Sequence, residues 1–216
     1  MKKIIIADDY IVARKGFEHC CHQVEPQAHV LHCPSTKDLY KTLRTEENLC
    51  LLILNSYINS IPTMHQLENI RSVCPDLPVL LIGVGNDLVF GGRAIRTGYN
   101  GYVNKTAHTS ELVEAIRKIL QNNYAFSQDI MNYSAELFRP NRPIQHPFER
   151  LSDREFAVML CLVNGMETCE IADAMALQNT TISTYKSRVF EKLSIDRTNE
   201  LKQIAEAYQI ALNPPS

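Results

Sequence analysis

The sequence predicts a five-stranded, parallel, doubly wound α/β unit followed by an all-helical unit that contains a helix-turn-helix. Two observations predict it. As far as Gln121, short β-branched apolar runs alternate with stretches of helical periodicity, the pattern of a parallel sheet covered on both faces. From Leu151 onward the apolar residues recur only at helical spacing, with a short helix, a turn and a longer helix in series.

In chain order, Lys3 to Ala7 reads as a buried strand ending in Asp8-Asp9, and Ile11 to Gln23 as a helix. His29 to His32 is a weak second strand, and Ser35 is placed to cap a helix through Arg44. Leu49 to Leu54 is a third strand ending at Asn55, and Met64 to Val73 is helical. Val79 to Ile82 is a fourth strand, ending at Gly83. Leu88 to Thr97 is a helix stopped by Gly98, and Gly101 to Asn104 is a fifth strand ending at Lys105. Thr109 or Ser110 caps a helix to Gln121. Asn122 to Glu149 is rich in Asn, Pro and Gln and reads as a linker, partly structured up to Leu137. Beyond it Ser152 and Glu155 form a capping box. Phe156, Met159, Leu160 and Val163 are the stripe of that helix, and Gly165 stops it. Thr168 starts a short helix, Asn179 to Leu193 is a long one, and Thr198 starts the last. The expected division is 1–122, a linker over 123–148, and 149–212.

Composition describes an ordinary globular chain of 216 residues, 45% apolar and 21% charged. No apolar run has transmembrane length, and the opening Ile4-Ile5-Ile6-Ala7 is too short for a secretory signal. The seven cysteines are odd in number, scattered and without a Cys-x-x-Cys, which argues against a disulfide framework and for a reducing cytoplasm. Net charge is −2, and from His146 onward seven Lys/Arg face ten Asp/Glu. Any affinity for nucleic acid must therefore come from local arrangement, such as the four cations between Ala176 and Arg197.

Ligands of a parallel sheet gather at the C-terminal ends of its strands. The residues there are Asp8, Asp9, Asn55, Gly83 and Lys105. Two carboxylates and a lysine suit a divalent cation and a phosphoryl group. They read equally well as helix caps and a surface cation.

The helix from Asn179 to Leu193 carries a buried stripe of Ile182, Tyr185, Val189, Phe190 and Leu193, with Asn179 or Thr180 as its cap. Its other face carries Ser183, Thr184, Lys186, Ser187, Arg188 and Lys192. Short hydroxyls near the start and cations further along fit a DNA major groove, although such a face is more often merely solvated.

Particular motifs resemble known families. Leu151-Ser152-x-Arg154-Glu155, Gly165, Glu170-Ile171-Ala172, Thr181 to Arg188 and Lys192-Leu193 resemble the LuxR-type helix-turn-helix domain. Ile4-Ile5-Ile6-Ala7-Asp8-Asp9 and Gly98-x-x-Gly101-Tyr102-Val103-x-Lys105 resemble the two ends of a response-regulator receiver. Together they are similar to the NarL/FixJ class. Gly91-Gly92-Arg93-Ala94-Ile95 with Ser183 to Arg188 is most similar to the FimZ, EvgA and BvgA subgroup.

The resemblance implies roles. Family receivers hold Mg²⁺ on the paired acids, phosphorylate an Asp at the third strand's end, contact the phosphoryl group with the lysine, and couple a Ser/Thr ending the fourth strand to an aromatic residue. Here Asp8, Asp9, Tyr102 and Lys105 match, while Asn55 stands at the acceptor position and Gly83 at the switch position. An amide oxygen is a poor nucleophile, and losing a carboxylate weakens Mg²⁺ binding. The receiver is therefore expected to be degenerate, with no cofactor and at most weak Mg²⁺ at Asp8 and Asp9. In the helical domain Ser183, Thr184 and Ser187 are expected at base edges, with Thr181, Lys186, Arg188 and Lys192 at phosphates. The expected function is a cytoplasmic DNA-binding transcriptional regulator, dimeric on double-stranded DNA, acting without Asp phosphorylation through dimerisation or a hetero-partner. The alternative is a protein-interaction module that pairs with another regulator or kinase. An enzyme is not expected, because no nucleophile accompanies Asp8 and Asp9. A membrane partner is not expected either.

Overall fold

The computed structural model describes residues 1–137, 139 and 144–210. The part of the expected linker at 140–143 and the expected chain end at Pro214-Pro215 lie outside them.

The N-terminal half is a five-stranded parallel sheet of order β2-β1-β3-β6-β7. Its strands are β1 (Lys3–Ala7), β2 (His29–Cys33), β3 (Leu49–Asn55), β6 (Val79–Gly83) and β7 (Gly101–Asn104). Because strand side chains alternate between faces, successive residues feed two different cores. Ile4, Ile6, Leu51, Ile53, Leu80 and Ile82 pack under α1 (Ile11–Val24) and α5 (Thr109–Leu120). Ile5, Leu52, Leu54, Val79 and Leu81 pack on the opposite side, toward α2 (Thr36–Thr45), α3 (Leu67–Val73) and α4 (Asp87–Thr97). A two-residue hairpin absent from the sequence reading joins β4 (Tyr57–Ile58) to β5 (Ile61–Pro62). Its turn residues Asn59 and Ser60 have φ of 51° and 63°, as a type I′ turn demands. The segment read as helical from Met64 opens with one 3₁₀ turn over Met64–Gln66 before α3 begins.

The C-terminal half is helical: α7 (Asp153–Val163), α8 (Thr168–Met175), α9 (Asn179–Leu193) and α10 (Thr198–Ala207). Ser35 and Ser152 cap α2 and α7 as expected, Ser152 within a complete capping box. Two expected caps are corrected. Residue Gln178 precedes α9 and makes no side-chain cap, so neither Asn179 nor Thr180 caps it. His108, rather than Thr109 or Ser110, precedes α5, and Glu111 accepts from its backbone N–H.

Helix α6 (Gln128–Leu137) crosses α4 where the sequence places two glycines. A β-carbon on Gly91 would lie 2.4 Å from Ile130 Cδ1, and one on Gly92 2.5 Å from Tyr133 Cε1. Mid-helix glycine costs up to about 1 kcal/mol, so close approach is the physical reason for the pair.

The next residue, Arg93, joins the two halves. Only 3% of its side chain is exposed. It donates to the Asp153 carboxylate and to the backbone carbonyls of Phe148 at 2.9 Å and Leu151 at 3.2 Å. Its guanidinium lies 4.1 Å from the Phe156 ring centroid. Burial, with Arg96 close by, lowers its pKa to about 10, so it stays cationic at neutral pH. Phe90 meets Phe156 edge to face at 5.7 Å. One apolar core runs from Leu52 and Leu54 through Phe90 and Tyr99 to Phe156, Ile171, Ile182 and Leu201. Helix α7 is buried on all sides from Glu155 to Val163, because β5 and the 3₁₀ turn cover the face that α9 leaves free.

Removing the guanidinium strands the buried Phe148 carbonyl and leaves Asp153 and the Leu151 carbonyl to Arg96 alone, so Arg93→Met should destabilise the protein by about 1–3 kcal/mol in urea unfolding. A second check uses His65, buried on the 3₁₀ turn beside α7. Burial first, and the Arg154 cation second, push its imidazole down to about 4 from 6.5. Between these values the unfolded chain binds a proton that the folded chain refuses. Its contribution is full above about pH 6.5 and is lost, by about 3 kcal/mol, as pH falls toward 4. His65→Gln should flatten that part of the stability curve, and an unchanged slope would contradict the assignment.

Candidate functional site: the strand ends and the exposed face of α9

Six residues of the N-terminal half converge where the strands end. Asp8 is fully buried. Its Oδ1 accepts the Tyr10 N–H at 2.8 Å, and its Oδ2 lies 3.4 Å from Lys105 Nζ. Burial raises the Asp8 carboxyl, against the opposing pull of Tyr10 and Lys105. Asp9 reaches across to the hairpin, where Oδ2 accepts the Asn59 N–H at 2.8 Å. Its Oδ1 is buried without a hydrogen-bond partner. Asn55 is buried at the end of β3, and its carbonyl accepts from the Thr63 hydroxyl at 2.5 Å.

These residues do not fit a resident divalent cation. Three of the four carboxylate oxygens already face N–H groups or an ammonium, and Asn55 supplies an uncharged amide in third place. Hard cations favour several anionic oxygens. Among the described residues no group of three or more His, Cys, Asp or Glu is arranged to hold a metal.

Gly83 and Tyr102 form a second feature of the rim. A β-carbon on Gly83 would lie 2.3 Å from Tyr102 Cε2 and 2.7 Å from its hydroxyl oxygen. The tyrosine ring thus occupies the space that a side chain on β6 would need. Tyr102 is buried and donates to Asp87 Oδ1 at 3.1 Å, at the start of α4. Asn104 donates to the same oxygen. Burial, together with the Asp87 carboxylate, raises the Tyr102 pKa strongly, which keeps its proton in place as the donor.

On α9 the buried stripe is Ile182, Val189 and Leu193, with Tyr185 and Phe190 half-buried against it. Ser183, Thr184, Ser187 and Arg188 are exposed, while Thr181 and Lys186 are half-buried. Lys186 Nζ lies 5.6 Å from the Phe190 ring centroid. Among the described residues Arg188 makes no ion pair, leaving its guanidinium open to an anion. Lys192 is used differently from its neighbours. Its ammonium lies 2.7 Å from Glu155 Oε2, a carboxylate only 3% exposed. Burial favours the neutral form of Glu155, yet the bonds from Lys192 and Ser152 outweigh it and hold the carboxyl below its usual range. Lys192 thereby ties α9 to α7. Nothing in the spacing of the sequence distinguished it from a cation free to meet phosphate. The turn before α9 passes through Ala176 in the left-handed region, with φ of 53°, a conformation that costs a non-glycine residue about 1 kcal/mol or more.

A parallel α/β unit of this strand order, with acids and a lysine at its rim and a helix-turn-helix behind it, defines a two-part regulator. Residues 4–117 match the response regulator receiver domain, and residues 149–205 match the bacterial regulatory proteins of the luxR family. The chain belongs to the response regulator family and carries a LuxR-type helix-turn-helix. It is 28% identical over 207 residues to the Fimbriae Z protein of Salmonella typhimurium, covering 96% of this chain and 97% of that one. It is also 28% identical to the response regulator GacA of Pseudomonas aeruginosa, over 95% of each. Among solved structures the Salmonella typhimurium RcsB response regulator superposes with a TM-score of 0.78 at 20% identity, over 97% of this chain and all of that one. A structure of two RcsB dimers bound to two parallel DNAs superposes at 0.57 and 18% identity, over 95% and 98%. At these identities the structures speak for the fold. Among the described residues no helix is long and apolar enough to cross a membrane.

The contact between Gly83 and Tyr102 predicts non-additive mutations. Gly83→Thr should cost about 1–3 kcal/mol by overpacking, and the cost should shrink when Tyr102→Ala is also present. A double-mutant cycle in thermal unfolding measures the coupling. Equal costs in both backgrounds would mean that the ring does not occupy that space.

Proposed function

We propose that the chain is a DNA-binding transcriptional regulator that works as a homodimer on double-stranded DNA, without phosphotransfer to its receiver. The observation that carries the DNA reading is the open face of α9. Ser183, Thr184, Ser187 and Arg188 reach solvent, although α7 is buried from Glu155 to Val163 between the N-terminal half and the other C-terminal helices. Docking the two halves therefore leaves the recognition face clear. Thr181, Lys186 and Arg188 lie beside it as phosphate contacts, and Lys192 holds the helix in place. The functional division is 1–122 as receiver, 123–148 as linker and 149–212 as DNA-binding domain. One domain of this size covers little DNA, which favours a dimer on paired half-sites. The DNA-bound dimers of RcsB agree with that form.

The case against phosphotransfer rests on two residues of one mechanism. Asn55 offers an amide where an acyl phosphate needs a carboxylate, and Gly83 offers no hydroxyl to meet a phosphoryl group. Instead the inward ring of Tyr102 fills the space beside Gly83. The receiver is degenerate in this reading, and control passes to dimerisation or a hetero-partner. No nucleophile stands with Asp8 and Asp9, so the rim is read as structural and not as an enzyme's. The net acidity after His146 favours the second reading, an interaction module that binds DNA weakly or not at all.

Mobility-shift titrations over a salt series separate the two. The regulator should give a sequence-specific shift, with Lys186→Ala and Arg188→Ala each reducing the slope of log affinity against log salt by about 0.9. Absence of any specific shift at low salt would favour the interaction module. In parallel, acetyl phosphate should leave the purified protein unlabelled. Labelling abolished by Asn55→Ala would overturn phosphate-independent control.

A further inference from the structure

On the row of α9 that points away from its buried stripe, three residues beyond Thr180 present hydrogen-bond acceptors outward. Thr184 and Ser187 lie directly opposite Ile182, Val189 and Leu193, and Glu191 continues their row one turn further on. All three are exposed. Each hydroxyl carries one proton and two lone pairs. Thr184 Oγ1 donates its proton to the Thr180 carbonyl at 2.9 Å, and Ser187 Oγ donates to the Ser183 carbonyl at 3.0 Å. This back-bonding to the preceding turn is a satisfied state for a helical hydroxyl. It leaves only lone pairs facing outward. The Glu191 carboxylate has no donor to offer, and it makes no ion pair among the described residues. Such a charge is repelled by phosphate, so within a groove it is stable only against donors of a base edge or water. From Thr184 to Glu191 the helix rises about 10 Å, roughly three base-pair steps.

The geometry points to a base-reading rule, which rests on the DNA-binding reading above. Helix α9 selects bases that present an amino group in the major groove, cytosine through N4 and adenine through N6, using Thr184, Ser187 and Glu191. Guanine offers only acceptors at O6 and N7 there, and thymine offers O4 and a methyl group. Those edges meet lone pair against lone pair on this row. Glu191 is thereby a specificity-determining residue. Arg188 and Ser183, on the two flanks of the row, lie nearer the strands of the groove.

Selection of bound sites from a randomised duplex library, using the full chain, tests this. The parallel variants are Thr184→Val, which keeps the shape without the oxygen, Ser187→Ala and Glu191→Leu, which removes the acceptor. All three side chains are exposed, and circular dichroism verifies that each variant folds. The wild-type chain should enrich a motif in which each variant relaxes the preference at one base pair by about tenfold. Replacing the responsive cytosine by an analogue lacking N4 should weaken the wild type by a similar factor and leave Glu191→Leu unaffected. Unchanged wild-type binding when the amino group is deleted from the responsive adenine or cytosine, on either strand, would overturn the rule. So would an enriched motif that none of the variants alters. If the wild type enriches no motif at any salt concentration, the DNA-binding reading itself fails, and the two failures are told apart by that control.

Discussion

The structure turns on one buried cation. A guanidinium excluded from water is tolerated only when its donors are met by well-placed acceptors. Arg93 meets that condition by drawing acceptors from the far half of the chain: the Phe148 and Leu151 carbonyls and the Asp153 carboxylate. Its plane also stacks over Phe156, where a flat delocalised cation does better than an ammonium. The position of α7 relative to the sheet follows from these contacts. Asp153 stands in the first turn of α7, so its charge also complements the positive end of that helix. Next to Arg93, Gly91 and Gly92 let α6 lie close against α4. Three adjacent residues thus set two helix packings.

Much of this was legible in the residues. Strand ends and helix ranges fell within a few residues, because β-branched runs and capping box chemistry are local signals. The parallel direction of the strands follows from the alternation of strand and helix, whereas their order does not. What was not legible depends on partners distant in sequence. The stripe read on α7 was Phe156, Met159, Leu160 and Val163, but Ala157, Val158, Cys161 and Leu162 are buried as well. A helix apolar on every side is the signature of one covered on every side, and that signal was available in Glu155 to Val163. The β4–β5 hairpin was missed because each strand has only two residues, below the length at which alternation can be read. Lys192 looked like its neighbours because its partner, Glu155, lies 37 positions away in the chain.

At the strand ends the two carboxylates are drawn into the fold. Asp9 secures a tight turn, and Asp8 is neutralised by a backbone amide and a lysine. Tyr102 links the end of the sheet to the start of α4 through Asp87, and α4 carries Arg93. A continuous line of contacts therefore runs from the strand ends to the helix on which the C-terminal half is built.

The shared burial of α7 also bears on how such chains can be recombined. Two-part regulators are often pictured as modules that trade one half for another. Here the wall between the halves belongs to both, so the unit of inheritance is the pair. A graft that replaced the first half while keeping α7 would bare Phe156 and Cys161 to water unless the incoming half brought its own equivalents of Phe90, Arg93 and the Tyr57 hairpin. Substitutions on the two sides of that wall are therefore bound to change together, and the joint tolerates drift less readily than the exposed surface of α9.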